Sequence, residues 1–197
     1  MWQSANFGKQ FRGYHSLGTM FAYNSVISAF TELVYFSKIT ALNFRECTNL
    51  ASVAIPEKIT SIGMSNFYHC ALTSIDIPTQ VTSLESYSFA SNPLTTLTLH
   101  EGLITIGSRA FLNNSQLSSV VIPSSVTSMG DMCFAGCTGM TEMILSRTTP
   151  PTLGSNAFAT STFTIYVPDS AVATYKAASS WSSYASRVKG ISERPTQ

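Results

Sequence analysis

The chain has 197 residues, of which 44% are hydrophobic and only 11% charged, with a formal net charge of +1. Disordered chains combine low hydrophobicity with high net charge, and a near-neutral chain without a Lys/Arg cluster has little to offer a phosphate backbone, so disorder and a nucleic-acid partner are both set aside. No run approaches the roughly 18 apolar residues of a bilayer span, and residues 1–30 lack the basic start and apolar run of a signal peptide, so no membrane insertion is expected.

Residues 1–30 are compact and turn-rich, with Gly13 and Gly18 among Trp2, Phe7, Phe11, Tyr14 and Phe21, and read as an N-terminal cap. The alternative is a surface that docks on a neighbouring domain or subunit. From residue 31 to 168 the chain repeats itself. Five segments begin at Leu50, Leu72, Leu94, Leu117 and Met140, at intervals of 22 or 23 residues. Such a period is the mark of a repeat architecture.

Every repeat fills the same columns. Val53, Ile75, Leu97, Val120 and Met143 are followed two residues later by Ile55, Ile77, Leu99, Ile122 and Leu145, the period of a strand. Pro56, Pro78 and Pro123 come next and end the strand, because proline has no N–H for the ladder. A second apolar pair, such as Val81/Leu84 or Val126/Met129, is often followed by glycine and reads as a corner. Then an aromatic column recurs at Phe44, Phe67, Phe89, Phe111, Phe134 and Phe158. Three residues after the first five stand Cys47, Cys70, Asn92, Asn114 and Cys137. One such repeat cannot bury its apolar side alone, whereas stacked repeats bury a continuous core, so the expected fold is an α/β repeat solenoid with short parallel strands and ladders of like residues.

Open solenoids need closed ends. Residues 169–191 carry Val172, Tyr175, Ala178, Trp181, Tyr184 and Val188 near helical spacing, with Asp169 or Ser170 as N-cap and Gly190 as the stop, and predict a C-terminal cap of one or two helices. An aromatic carbohydrate platform built from Tyr175, Trp181 and Tyr184 is the competing reading. Residues 192–197 are expected to fray, leaving a single folded domain.

No constellation of catalytic residues emerges. The cysteines sit in the column that asparagine also fills, and are read as buried free thiols, although Cys47 and Cys70 on adjacent coils are near enough for a bridge to be conceivable. Cys133 and Cys137 lack a second pair or a histidine cluster for zinc. His15, His69 and His100 stand in no nucleophile or metal motif, and the acids are dispersed. The expectation is therefore no enzyme, no metal and no cofactor.

What remains is a surface. Ser and Thr make up about a quarter of the chain, far above ordinary usage. Alternation along each strand turns Ser52, Ser74, Asp76, Thr96, Thr98, Ser119, Val121, Glu142, Ile144, Thr164 and Tyr166 outward on the concave face. This face is either a shallow groove for a protein or glycan ligand or simply the soluble side of a sheet. Tyr68, Tyr87, Arg109 and the Asn113-Asn114 turn are expected on the ridge or convex side and are candidates for local binding.

The segments LTSIDIPTQVTSLESYSFASNP and LSSVVIPSSVTSMGDMCFAGCTG resemble the BspA-like leucine-rich repeats, and TELVYFSKITALNFRECTNL resembles a shortened opening repeat of such proteins. The resemblance implies a right-handed leucine-rich-repeat superhelix with its parallel sheet on the concave side, and a protein displayed or secreted by bacteria or microbial parasites, several of which are adhesins. Adhesion or recognition at a microbial surface is the function so implied. The absent signal peptide departs from displayed members. The alternatives are a structural segment of a larger surface or virion-like assembly, self-associating through its caps, and more remotely a carbohydrate-active accessory module.

Overall fold

Each repeat closes one coil of a solenoid, and the columns read from the sequence become lines of stacked residues running through it. The computed structural model describes residues 18, 21–30 and 40–195; Trp2, Phe7, Phe11 and Tyr14 lie outside the described residues.

The concave side carries β1 (Ala29–Phe30), β2 (Ser52–Val53), β4 (Ser74–Asp76), β6 (Thr96–Thr98), β8 (Ser119–Ile122), β10 (Glu142–Leu145) and β12 (Thr164–Val167). All pairings are parallel and place like on like: Ile75 beside Leu97, Val120 beside Met143, Met143 beside Ile165. In β4 and β6 the inward residue is buried and the two outward ones are exposed. Continuous ladders join β4 to β6 and β8 through β12, while β2 lies beside β4 and β6 beside β8.

The segment expected only to turn a corner does more. Its residues form a second parallel sheet of five two-residue strands, β3 (Ser61–Ile62), β5 (Ser83–Leu84), β7 (Thr105–Ile106), β9 (Ser128–Met129) and β11 (Thr152–Leu153). The glycines that follow serve close approach: a Cβ on Gly107 would lie 2.6 Å from the Leu84 carbonyl oxygen of the preceding coil.

The aromatic column stacks. Phe44, Phe67, Phe89, Phe111 and Phe134 follow one another at centroid distances of 5.6, 5.2, 5.7 and 5.0 Å with nearly parallel planes. The stack begins one coil earlier than expected, because Phe21 lies 5.5 Å from Phe44 with rings 9° apart. Residues 21–30, read from sequence as part of a cap, thus belong to a coil. Phe158 keeps its place in the column but turns to the end of the molecule, meeting Phe163, Trp181 and Tyr184.

Around the rings from Phe67 to Phe158 the chain makes a tight convex turn in which the residues two before and two after the phenylalanine take left-handed backbone conformations, and at Phe21 and Phe44 the residue two after does. Ser65, Tyr87, Arg109, Met132 and Asn156 form the first column, and Tyr23, Glu46, His69, Ser91, Asn113, Gly136 and Thr160 the second. Such conformations disfavour most side chains by roughly 1–2 kcal/mol each. They persist because they aim backbone N–H groups at the next coil: the N–H groups of Phe44, Phe67, Phe89, Phe111 and Phe134 all donate to carbonyls of the following coil at 2.7–2.9 Å.

The Cys/Asn column explains itself here. Cys47, Cys70, Asn92, Asn114 and Cys137 each donate to the carbonyl of the phenylalanine one coil earlier, at 2.7, 3.0, 2.7, 3.0 and 3.2 Å. Ser161 continues the line to Phe134 at 3.1 Å. All four cysteines are free and buried. Burial pushes the Cys70 and Cys137 thiols up to about 12, and those of Cys47 and Cys133 upward as well, which removes the reactive thiolate at neutral pH.

Ser and Thr hydroxyls supply further rungs. Thr82, Thr95, Thr127, Thr141 and Thr152 each donate to a backbone carbonyl of the preceding coil. Carboxylates staple coils in the same way. Glu101 accepts from the Ser124 and Ser125 N–H groups at 2.8 and 3.0 Å and from the Ser124 hydroxyl at 3.1 Å. The Ser124 backbone bond leads the effects that hold its carboxyl below the usual value. A depressed carboxyl adds stability above its unfolded value, which is lost as pH falls through the lower, folded value. A carboxyl-detected NMR titration is expected to place the Glu101 midpoint below that of a model peptide, and Glu101→Gln to flatten the acid limb of the stability profile.

The C-terminal cap replaces the missing next coil group by group. A turn at Asp169–Ala171 leads into helix α1 (Val172–Ala177), a 3-10 stretch over Ser179–Arg187, and strand β13 (Val188–Gly190), which extends the concave sheet beside β12. Gly190, expected as a helix stop, is therefore in a strand, and Asp169 does not cap the helix but receives the Ser192 N–H and hydroxyl. Tyr175 and Trp181 are fully buried, donating to the carbonyls of Arg147 and Pro151. The Tyr184 hydroxyl accepts the Phe158 N–H, and Arg187 donates to the carbonyls of Phe163 and Ser161. The burial of Tyr175 and Trp181 and the Tyr184 bond to Phe158 make the three aromatic residues a lid for the core. Residues 192–195 of the segment expected to fray are likewise tied down: Arg194 pairs with Glu142 at 2.5 Å.

Candidate functional site

The outward residues of the concave strands form two columns, each strand about 4.8 Å from the next. One runs through Ser52, Ser74, Thr96, Ser119, Glu142 and Thr164; the other through Asp76, Thr98, Val121, Ile144 and Tyr166. Register brings Ser74 beside Thr96 and Asp76 beside Thr98. It also brings Ser119, Glu142 and Thr164 into one row and Val121, Ile144 and Tyr166 into another.

Ser52, Ser74, Asp76, Thr96, Thr98, Ser119 and Val121 are exposed, Glu142, Ile144 and Thr164 half-buried. Tyr166 departs from expectation. It is expected to face outward, yet only 6% of its surface is exposed. The open part of the face is thus lined by short hydroxyl side chains, ending in an apolar step at Val121, which is 50% exposed.

The acids of this face are occupied. His100 Nε2 lies 2.6 Å from Asp76 Oδ1, and both Glu142 oxygens are held by Arg194. Among the described residues no three His, Cys, Asp or Glu side chains converge on a point that could hold a metal. No helix among them is long and apolar enough to cross a membrane.

On the convex side Tyr68, Tyr87 and Arg109 of the expected candidates meet, joined by Arg45, whereas Asn114 is buried in the Cys/Asn column. Arg45 lies 4.9 Å over the Tyr68 ring, Tyr68 meets Tyr87 edge-on at 6.2 Å, and Arg109 lies 5.4 Å over Tyr87. These four are half-buried and packed on one another, so their faces are largely spent on holding successive turns together. Arg194 is the residue that sequence reasoning missed, because its partner is 52 positions away and no periodicity links them.

Comparison with known proteins agrees with this geometry. A solved leucine-rich repeat protein from Bacteroides ovatus superposes with a TM-score of 0.59 at 22% identity over 79% of this chain, a likeness of fold. The present chain spans 47% of that longer one. No curated protein matches. The model of the BspA-type leucine-rich repeat region matches residues 18–141 in six copies, starting just before the Phe21 rung. Repeats of this kind form protein-interaction modules. By that match, over more than half of its length and with its repeat columns where the structure stacks them, this chain belongs to the BspA-type leucine-rich repeat family.

Proposed function

We propose that the chain is a non-catalytic recognition module that binds a protein ligand across its concave sheet, in adhesion or another contact at a microbial surface. The observation that carries this reading is the open row Ser52, Ser74, Thr96 and Ser119, with Thr98 and Val121 beside it, on strands that ladder in part, β4 with β6 and β8 with β10. Short side chains let a partner approach the sheet closely, and each hydroxyl both donates and accepts. A protein is favoured over a glycan because sugar recognition leans on exposed aromatic faces. Tyr166 is covered, and Tyr175 and Trp181 are buried.

The test is binding to a panel of host matrix proteins and glycans, measured by biolayer interferometry. Saturable binding to a protein is expected, abolished when Thr96 and Thr98 are both changed to Arg, since two long cations would fill the groove while leaving the core untouched. Concentration-dependent self-association without saturable binding would instead favour the assembly reading. Surface biotinylation of the native source cell tests display directly.

A further inference from the structure

The concave sheet already holds a ligand at its C-terminal end, and that ligand is part of the chain. Beyond β13 a single turn, Ile191–Glu193, brings Arg194 back over the sheet. Its Nε and Nη2 donate to the two Glu142 oxygens at 2.8 and 2.5 Å, a forked pair with fixed geometry. The segment is fastened on either side: Ser192 bonds to Asp169 through its N–H and hydroxyl, and the Glu193 carboxylate accepts from the Gly190 N–H at 2.9 Å. Beside the pair run Tyr166, Ile144 and Val121, the apolar end of the neighbouring column.

We infer that the last coils of the concave face form a site for an arginine-bearing extended peptide, and that Arg194 is its intramolecular occupant. The inference rests on the proposed reading of the concave face as a recognition surface. The Glu142 side chain is only 16% exposed. Without Arg194 its two oxygens would stand unpaired on the sheet beside an apolar stripe, a ready acceptor for another forked donor. A guanidinium is such a donor, with two parallel hydrogen bonds, where an ammonium offers a point charge. The stripe accepts an apolar side chain two positions along, because an extended peptide sends alternate residues to one face. The tethered Arg194 competes at an effective concentration in the millimolar range, so a ligand displaces it only by reaching further, over Ser119 and Thr98. The tail therefore sets a threshold that short fortuitous peptides do not pass.

Fluorescence anisotropy tests this with a labelled octapeptide, GISERPTQ, whose sequence is that of residues 190–197. Arg194→Ala is expected to bind the probe at least about tenfold more tightly than the unaltered chain, because the tethered competitor is gone. Adding Glu142→Gln is expected to abolish the gain, and replacing the peptide arginine with lysine to weaken it. Circular dichroism melts of each variant establish that the solenoid remains folded. Equal binding by Arg194→Ala and the unaltered chain overturns the inference, as does binding that survives Glu142→Gln, or no binding at about 1 mM probe. The readouts separate the two claims: probe binding that depends on Glu142, without any protein ligand sensitive to Thr96 and Thr98, overturns the groove and leaves the clamp. A Thr96/Thr98-sensitive ligand with no Glu142-dependent probe binding does the reverse.

Discussion

Phe111→Ala is expected to destabilise the chain by about 3–5 kcal/mol, read as a lowered midpoint in urea. The side chain is fully buried between Phe89 at 5.7 Å and Phe134 at 5.0 Å, so truncation opens a cavity against two coils at once. Neither neighbour can collapse into the gap, because both are held by backbone bonds: Phe89 N–H to Ala110 and Phe134 N–H to Ala157, each at 2.9 Å. In a solenoid, stability is close to a sum of coil terms and nearest-neighbour interfaces, so weakening a central rung also weakens coupling between the halves. A shallower urea slope is expected to accompany the shift, as the two ends begin to unfold separately. An unchanged slope and a loss below about 1 kcal/mol would show the stack to be incidental.

The second large effect separates two residues of the same type. Asn92 and Asn114 both donate to phenylalanine carbonyls of their own and the preceding coil. Asn92 also accepts the Leu72 N–H through Oδ1 at 3.2 Å, whereas the Asn114 Oδ1 is buried without a hydrogen-bond partner. Replacing either by alanine strands buried carbonyls and is expected to cost about 2–4 kcal/mol, at about 1–3 for each group left unsatisfied. Cysteine should rescue them unequally. At Asn114 it keeps the donor to the preceding coil, as Cys70 and Cys137 do, and sheds an unsatisfied oxygen. At Asn92 it abandons the Leu72 N–H. Thermal melts are expected to rank Asn114→Cys well above Asn92→Cys, and equal losses would mean that the column is defined by volume alone.

What the sequence disclosed follows from what repetition averages. The phenylalanine column, the strand pair before each proline and the interchange of Cys with Asn recur every coil, so each occurrence reinforces the rest. Features made once, or too short to show a period, were hidden. The second sheet consists of two-residue strands such as Ser83–Leu84, which offer no alternation to read, and the glycines after Ile62, Ile106 and Met129 suggested a mere corner. The first rung had a signal that went unused: Phe21-Ala22-Tyr23-Asn24 has the spacing of Phe89-Ala90-Ser91-Asn92. For the concave face, alternation located the outward residues but not what covers them. That Tyr166 is closed off shows in no period, and that Glu142 is engaged depends on Arg194, 52 residues away.

The inter-coil bonds of the convex turns give the molecule a direction. A phenylalanine N–H is satisfied by the coil that follows it, and its carbonyl by a side chain from that same later coil, as when Phe111 awaits Cys133 and Cys137. During synthesis, then, the newest coil has an open donor at its convex turn, and a carbonyl that at Phe89 and Phe111 accepts only from its own coil's asparagine until the next 22 or 23 residues emerge. Chain growth and bond closure advance together, one coil in arrears. The debt is discharged last by Tyr184 and Arg187, so a chain interrupted before them would present to the cell an edge still ready to pair.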